Sequence, residues 1–473
     1  MKRIFFTICV GILSTSLFGQ IKNVGFETKK SIDGNLPADW GVGPVDGFTA
    51  TLVNDVKFGG EHSFRISSKE NSSKYLNVTQ TVDIDAKELK RIKLTAYIKT
   101  EDLKGAAALW CQLWDVNKKM VGFENLSSQG QPINGTTDWK KYTLTLIVGP
   151  NVKKLYFGAY SLGSGTSWFD DFAIEEFEGS NEPASAAVIK YSNEFNSIVK
   201  KHSIYADSLD WKSIDRDLKS LGKGLKTVED AKVLTNYVLQ QLRKAGDNHS
   251  FVQNKVAAEK YASSNTVQDT LIAKLLPNNI GYISVPAFGS TNKEVGEDFA
   301  QKIQSQIKKL DTENEIKGWV VDLRRNSGGN MYPMIAGLKP LIGNGTLGYF
   351  VKGKSKIEWT SYVKVAEAYT LKNQSNNIAV LIGPRTGSSG EMTAITFIGK
   401  SNTKFFGEPS GGYITANSMH ALSDGSNLLL ASSYSADRNG KKYLDRIYPE
   451  VVVKSTAAND LALEMAMGWI LGR

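Results

Sequence analysis

The sequence predicts an α/β domain built on a mostly parallel sheet, preceded by a small helical domain and an N-terminal all-β sandwich. Two patterns carry this reading. From about residue 280 onward, apolar strands alternate with amphipathic helices, the order that builds parallel sheets with helical cover. Residues 20–178 instead show short alternating runs separated by Gly, Asn and Asp, as antiparallel strands joined by turns do.

The opening residues have a separate reading. Lys2 and Arg3 precede an apolar stretch from Ile4 to Leu13, followed by Ser14, Thr15 and Ser16. This is the layout of a secretory signal peptide cut near Gly19, and it is too short to span a bilayer. Residues 1–19 are therefore expected to direct export, to the periplasm or outside the cell. No later segment has the roughly 20 apolar residues of a membrane helix, so no integral membrane segment is expected in the mature chain. Of the two cysteines, Cys9 leaves with the signal; Cys111 lies in an alternating strand pattern and reads as packing.

In the sandwich, Lys93 to Ile98 and Tyr142 to Ile147 are strands, and five of nine tryptophans lie in this region. Its ends, Asn23-Val24-Gly25-Phe26-Glu27 and Trp168-Phe169-Asp170-Asp171-Phe172, resemble those of carbohydrate-binding-module jelly rolls. That resemblance implies a structural calcium on Glu27 and Asp171 and a glycan partner; the other reading is a packing or partner-docking domain. Residues 179–183 form a linker. Residues 186–265 read as the helical part, with Ile214, Leu218 and Leu221 at helical spacing. Residues 270–473 form the α/β domain. The net charge of +9 is spread in short pairs such as Lys200-Lys201, which excludes a nucleic-acid arm.

Two loops carry the chemistry. Asp322-Leu323-Arg324-Arg325-Asn326-Ser327-Gly328-Gly329 follows a buried strand, and its glycines let backbone amides approach a ligand, as an oxyanion hole requires. Thr386-Gly387-Ser388-Ser389-Gly390-Glu391 joins a strand to a helix; by itself it also reads as a capping box. Gly407-Glu408-Pro409-Ser410-Gly411-Gly412 and Ile447-Tyr448-Pro449-Glu450 follow in order.

Together these four segments resemble the C-terminal-processing (tail-specific, S41) peptidase family, in its tricorn-core branch. The resemblance covers residues 186–473 and implies a crotonase-like fold, with Ser388 as nucleophile and an oxyanion hole from Ser389 with Gly328 or Gly329. Family members with a Ser-Lys dyad place lysine where this chain has Tyr413, so the base falls to the other branch's histidine. Gly246-Asp247-Asn248-His249-Ser250 matches that motif and makes His249 the general base. Histidine suits the task because its ordinary pKa lies near neutrality. Asn248 replaces the branch's serine and Tyr443 its glutamate, which leaves Asp445 or Asp437 to orient the imidazole. Residues 251–279 are too few for an inserted PDZ domain. The implied activity is a serine endopeptidase acting on peptides or proteins, with no catalytic cofactor. A peptide- or glycan-binding pseudo-peptidase and a carbohydrate esterase are the alternatives.

Overall fold

The computed structural model describes residues 21–32, 34–69, 74–126, 129, 131, 133–177, 180–263, 270–359, 363–456 and 459–472. The expected signal peptide and Cys9 lie outside the described residues. The chain divides into two compact units, one formed by the residues up to Ser192 with Asp210–Gln240, the other by Asn193–Leu209 with Gln241 onward.

The first unit is β-rich. It comprises β1 (Gly41–Val42), β2 (Phe48–Val53), β3 (Ser63–Ser68), β4 (Tyr75–Asp83), β5 (Lys90–Asp115), β6 (Met120–Asn125), β7 (Ile133–Val148), β8 (Val152–Leu162) and β9 (Gly165–Glu176). These make one antiparallel network in the order β1-β4-β8-β5-β9-β3-β2, with β6 and β7 also on β5. The 26-residue β5 holds it together. Its first half pairs with β7 and β9, its second half with β6 and β8. Strict alternation explains why this strand forms, since Ile92, Leu94, Ala96 and Ile98 are all fully buried. They enter one core with Phe26, Trp40, Phe64, Phe157 and Phe172. Cys111 lies in that core as a free thiol, its pKa pushed well up by burial.

Three helices follow, α1 (Ala186–His202), α2 (Trp211–Leu221) and α3 (Val228–Lys244). The segment read from sequence as one helical domain is in fact shared, since α1 and α3 each contribute residues to both units. α2 is capped by Asp210, which accepts the Ser213 N–H, and buries the predicted Ile214, Leu218 and Leu221.

The second unit contains β10 (Phe251–Gln253), α4 (Lys255–Ser263), β11 (Ile272–Leu276), β12 (Ile280–Ser284), α5 (Lys293–Glu313), β13 (Gly318–Asp322), α6 (Met331–Ile342), β14 (Tyr349–Lys352) and β15 (Ser355–Glu358). It continues with β16 (Asn377–Ile382), α7 (Ser389–Ile395), β17 (Thr403–Gly407), β18 (Thr415–Ala421), β19 (Asn427–Ala436), β20 (Val451–Val452) and α8 (Leu461–Ile470). The main sheet runs β11-β12-β13-β16-β17-β20, parallel except for β11 against β12. Helices cover both faces, and this is why β13 is a continuous apolar run rather than an alternating one. Trp319 and Val321 pack with residues of α5 and α6, whereas Val320 packs with residues of α8. A second, antiparallel sheet carries β10-β19-β14-β15, with β18 on β19.

Candidate active site

The loop after β13 is organised by Asn326, which is fully buried. Its amide nitrogen donates to the carbonyls of Val285 and Pro286 at 3.2 Å. Its Oδ1 accepts the Gly328 N–H at 3.0 Å, and its own carbonyl accepts the Gly387 N–H at 3.0 Å. The two suspect loops are thereby tied together. Gly328 must be glycine: its φ is 112°, and a Cβ there would stand 2.8 Å from Ser388 Cβ. At the strand end, Asp322 and Asp460 share the Arg324 guanidinium, which donates to both.

Ser388 stands at the N-cap of α7 with φ 52° and ψ −123°, a conformation rarely adopted by a residue with a side chain. Glu391 holds it there. This fully buried carboxylate accepts the N–H groups of Ser388 (2.9 Å) and Tyr413 (2.8 Å) on Oε2. On Oε1 it accepts the Ser410 hydroxyl (2.5 Å) and the Gly412 N–H (2.9 Å). Burial pushes its pKa up, and those four donors act in the opposite direction. Ser410 Oγ in turn accepts the Ile447 N–H at 2.8 Å. One carboxylate thus gathers the Ser388 turn, the Gly-Glu-Pro segment and the closing Ile-x-Pro segment.

His249 enters from the loop between α3 and β10. Asp247 shapes that loop, its Oδ1 accepting the N–H groups of His249 and Ser250 at 2.9 Å each. The Asn417 side chain donates to the His249 carbonyl at 2.9 Å. The imidazole Nδ1 lies 2.8 Å from the Thr415 carbonyl oxygen and 3.1 Å from Thr415 Oγ1. A carbonyl can only accept, so Nδ1 carries the proton and Nε2 is left as the basic nitrogen. Burial lowers the His249 pKa, while the Thr415 carbonyl and the Asp247 charge act to raise it.

Ser388 and His249 line the same cavity of about 850 Å³, together with Ser389, Gly329 and Tyr413. Among the described residues no hydrogen bond joins the two side chains. Among the described residues no acceptor is found for the amides of Ser389 and Gly329, whereas that of Gly328 is taken by Asn326. The Ser389 hydroxyl donates to the Gly329 carbonyl at 2.6 Å, linking the two amide-bearing segments.

The acidic candidates do not reach the imidazole. Asp445 is exposed and meets Arg446 (3.4 Å) and the Tyr448 hydroxyl (2.8 Å). Asp437 is buried and accepts the N–H groups of Asn439 and Lys441 and the Tyr443 hydroxyl. A main-chain carbonyl, that of Thr415, stands where a carboxylate was expected. Tyr413, in the position of the lysine, places its ring 5.8 Å from the His249 ring. Lys400 donates to the Ile342 carbonyl at 2.8 Å and does not line the cavity.

In the β-rich unit, Glu27 and Asp171 do come together. A Cβ built on Gly25 would lie 3.2 Å from Asp171 Oδ1 and 3.6 Å from Glu27 Oε1. Glu27 also accepts the Glu61 N–H on both oxygens and meets His62 Nδ1 at 3.4 Å. Among the described residues no group of three or more His, Cys, Asp or Glu side chains is arranged to hold a metal ion.

The model of peptidase family S41 matches residues 279–453, which hold Ser388, Glu391 and the glycine loops. The nisin-resistance protein of Lactococcus lactis subsp. lactis is 30% identical over 284 residues, covering 56% of this chain and 82% of that protein. A lipoprotein structure from Streptococcus agalactiae superposes with a TM-score of 0.50 at 25% identity, over 61% of this chain and 98% of that one. The photosystem II D1 C-terminal processing protease gives a TM-score of 0.43 at 12% identity, over 57% and 94%. With 30% identity across most of the nisin-resistance protein and the family model matched over residues 279–453, the chain belongs to peptidase family S41.

Proposed function

We propose that the chain is an exported serine endopeptidase in which Ser388 attacks a peptide carbonyl and His249 is the general base. The observation that carries this is the commitment of His249 Nδ1 to the Thr415 carbonyl, which leaves Nε2 basic in the cavity that Ser388 lines. His249 Nε2 takes the Ser388 hydroxyl proton as Oγ bonds to the carbonyl carbon. The resulting oxyanion is held by the amides of Ser389 and Gly329. The imidazolium returns its proton to the departing amine, leaving an acyl-Ser388 ester that water then cleaves by the same base. Among the described residues no carboxylate meets the imidazole directly, so the imidazolium charge is balanced by the Thr415 carbonyl and, through space, by Asp247. The basic and apolar opening of the sequence supports export.

Labelling by a fluorophosphonate probe tests this reading. Ser388 is expected to carry the label in the wild type, with labelling slowed strongly in His249→Ala. A wild-type protein that does not react favours the pseudo-peptidase alternative.

In the β-rich unit we propose that Glu27 and Asp171 are side-chain ligands of a structural calcium. Two oxygen donors converging on a cradle that a Cβ at Gly25 would crowd suit a hard cation. A melting temperature that rises with calcium and falls with chelator, both effects lost in Asp171→Ala, is the expected outcome. A glycan would stack in the cleft of about 440 Å³ lined by Tyr75, Trp110, Phe123 and Tyr160. Affinity electrophoresis through xylan or galactan gels would detect it as retardation.

A further inference from the structure

We propose that the β-rich unit carries an anion-binding site of its own, in a cavity of about 340 Å³ between the start of β5 and the start of α3, and that its ligand is a small hydroxylated carboxylate such as a sugar acid. Among the described residues it shares no lining side chain with the Ser388 cavity, so the proposal holds whether or not Ser388 is a nucleophile. Its described lining residues all belong to the first unit. Arg91 is the anchor. It is 6% exposed, its Nη2 donates to the Lys223 carbonyl at 3.0 Å, and its buried Nη1 has no acceptor among the described residues. Lys93 lies two residues on, hence on the same face of β5. Its Nζ is 3.7 Å from the centre of the Phe177 ring, and Arg91 Cζ is 4.8 Å from that centre.

The neighbouring acids are committed elsewhere. Glu176 pairs with Lys90 at 2.7 Å, and Glu229 with Lys232 at 2.6 Å. Asp230 Oδ2 accepts the N–H groups of Lys226 and Thr227 at 3.0 and 2.9 Å and acts on Arg91 only through space. Glu175, opposite Lys93 on β9, is exposed. Among the described residues no carboxylate stands within ion-pair distance of Arg91 or Lys93. A guanidinium withdrawn from water with a donor unspent is a costly arrangement that an anion relieves. Holding the Lys223 carbonyl needs one N–H, so that clamp does not account for the second cation beside it. The remaining wall fits a hydroxylated body on the anion. Thr145, in register with Lys93, stands with Thr143 and Gln131, whose hydroxyls and amide both donate and accept, as sugar hydroxyls require. Phe177 and Val233 offer apolar contact to ring carbons. The volume far exceeds the roughly 30 Å³ that one water occupies, so a bare ion does not fill it.

The test is isothermal titration of the whole chain at low salt with three probes: D-galacturonate, its neutral counterpart D-galactose, and sodium sulfate. Galacturonate is expected to bind at one site per chain, about tenfold tighter than galactose, as a charge-assisted hydrogen bond commands. Lys93→Gln leaves the buried Arg91 in place and should weaken galacturonate about tenfold while leaving galactose unchanged. Arg91→Lys keeps a donor for the Lys223 carbonyl but loses the planar fork, and should weaken galacturonate likewise. If that variant does not fold, Lys93→Gln decides alone. Added salt should weaken galacturonate and not galactose. Sulfate that displaces galacturonate at similar concentration assigns the site to oxyanions in general; sulfate that does not assigns it to the hydroxylated carboxylate. Equal affinity for galacturonate and galactose, no saturable binding of either anion, or a galacturonate affinity unchanged in Lys93→Gln overturns the proposal.

Discussion

Glu391 Oε2 accepts the backbone N–H of Ser388 at 2.9 Å and of Tyr413 at 2.8 Å, so one buried oxygen fixes both Ser388 and the residue whose ring lies beside His249. The glutamate that reads from sequence as a helix cap is the hub of the site. Glu391→Gln turns one acceptor oxygen into an NH₂ group facing N–H donors in a buried place. The expected cost is about 2–4 kcal/mol of stability. A loss of about a hundredfold in kcat should accompany it, because the Ser388 turn relaxes. Thermal denaturation and steady-state kinetics check both; an unchanged kcat in a folded variant contradicts the role.

The orientation of His249 separates two carboxylates. Asp445→Asn should leave kcat/KM within about twofold of wild type, because that side chain faces Arg446 and Tyr448. Asp247→Asn should lower it about tenfold or more, because Asp247 holds the His249 and Ser250 amides and supplies the negative charge near the imidazole. The reverse ranking would restore Asp445 as the third member of the triad.

The rate profile has a defined sign. On the proposed mechanism His249 must be neutral to take the Ser388 proton, and burial lowers its pKa below the ordinary histidine value of 6.5. The acidic limb of kcat/KM should therefore fall below pH 6.5, with activity level into mildly alkaline conditions. An activity limb appearing only above about pH 8, unchanged in His249→Gln, would move the base to a lysine.

Stability should follow the same direction. Three histidines in the second unit, His202, His249 and His420, have pKa values lowered chiefly by burial. The rings of His202 and His420 are 4.5 Å apart, and the Lys352 charge bears on both. A lowered folded-state pKa means that the unfolded chain binds protons first as pH drops. The stabilisation is present above the unfolded value near 6.5 and is lost as pH falls through the folded values. The melting temperature should therefore fall between pH 7.5 and pH 5, and less so in His202→Gln/His420→Gln. An equal fall in that variant would place the acid sensitivity elsewhere.

Much of this was legible in the residues. The glycine pair at 328–329, the Ser388 turn and the strand at 318–323 have side-chain or conformational demands that only certain residues meet, so composition and spacing report them. The partner of His249 was not legible, because it is a main-chain carbonyl and every residue at position 415 carries one. Asp445 and Asp437 followed from the family resemblance, in which a carboxylate orients the imidazole. The role of Asn326 was hidden likewise, since its side chain meets three backbone groups, the Val285 and Pro286 carbonyls and the Gly328 N–H, together with Met334 Sδ. The sharing of α1 and α3 between two units left no trace in helical periodicity, which records a buried face but not what covers it. The length of β5 was also hidden, because Lys99 to Lys104 interrupts its alternation and the strand runs on through register shifts.

Digestion of a defined peptide library by wild type and Ser388→Ala at pH 7.5, read by mass spectrometry, is the decisive measurement for Ser388 as the proposed nucleophile. Internal cleavage products are expected with the wild type and none above background with a folded Ser388→Ala protein. Products of equal yield from both proteins would contradict it.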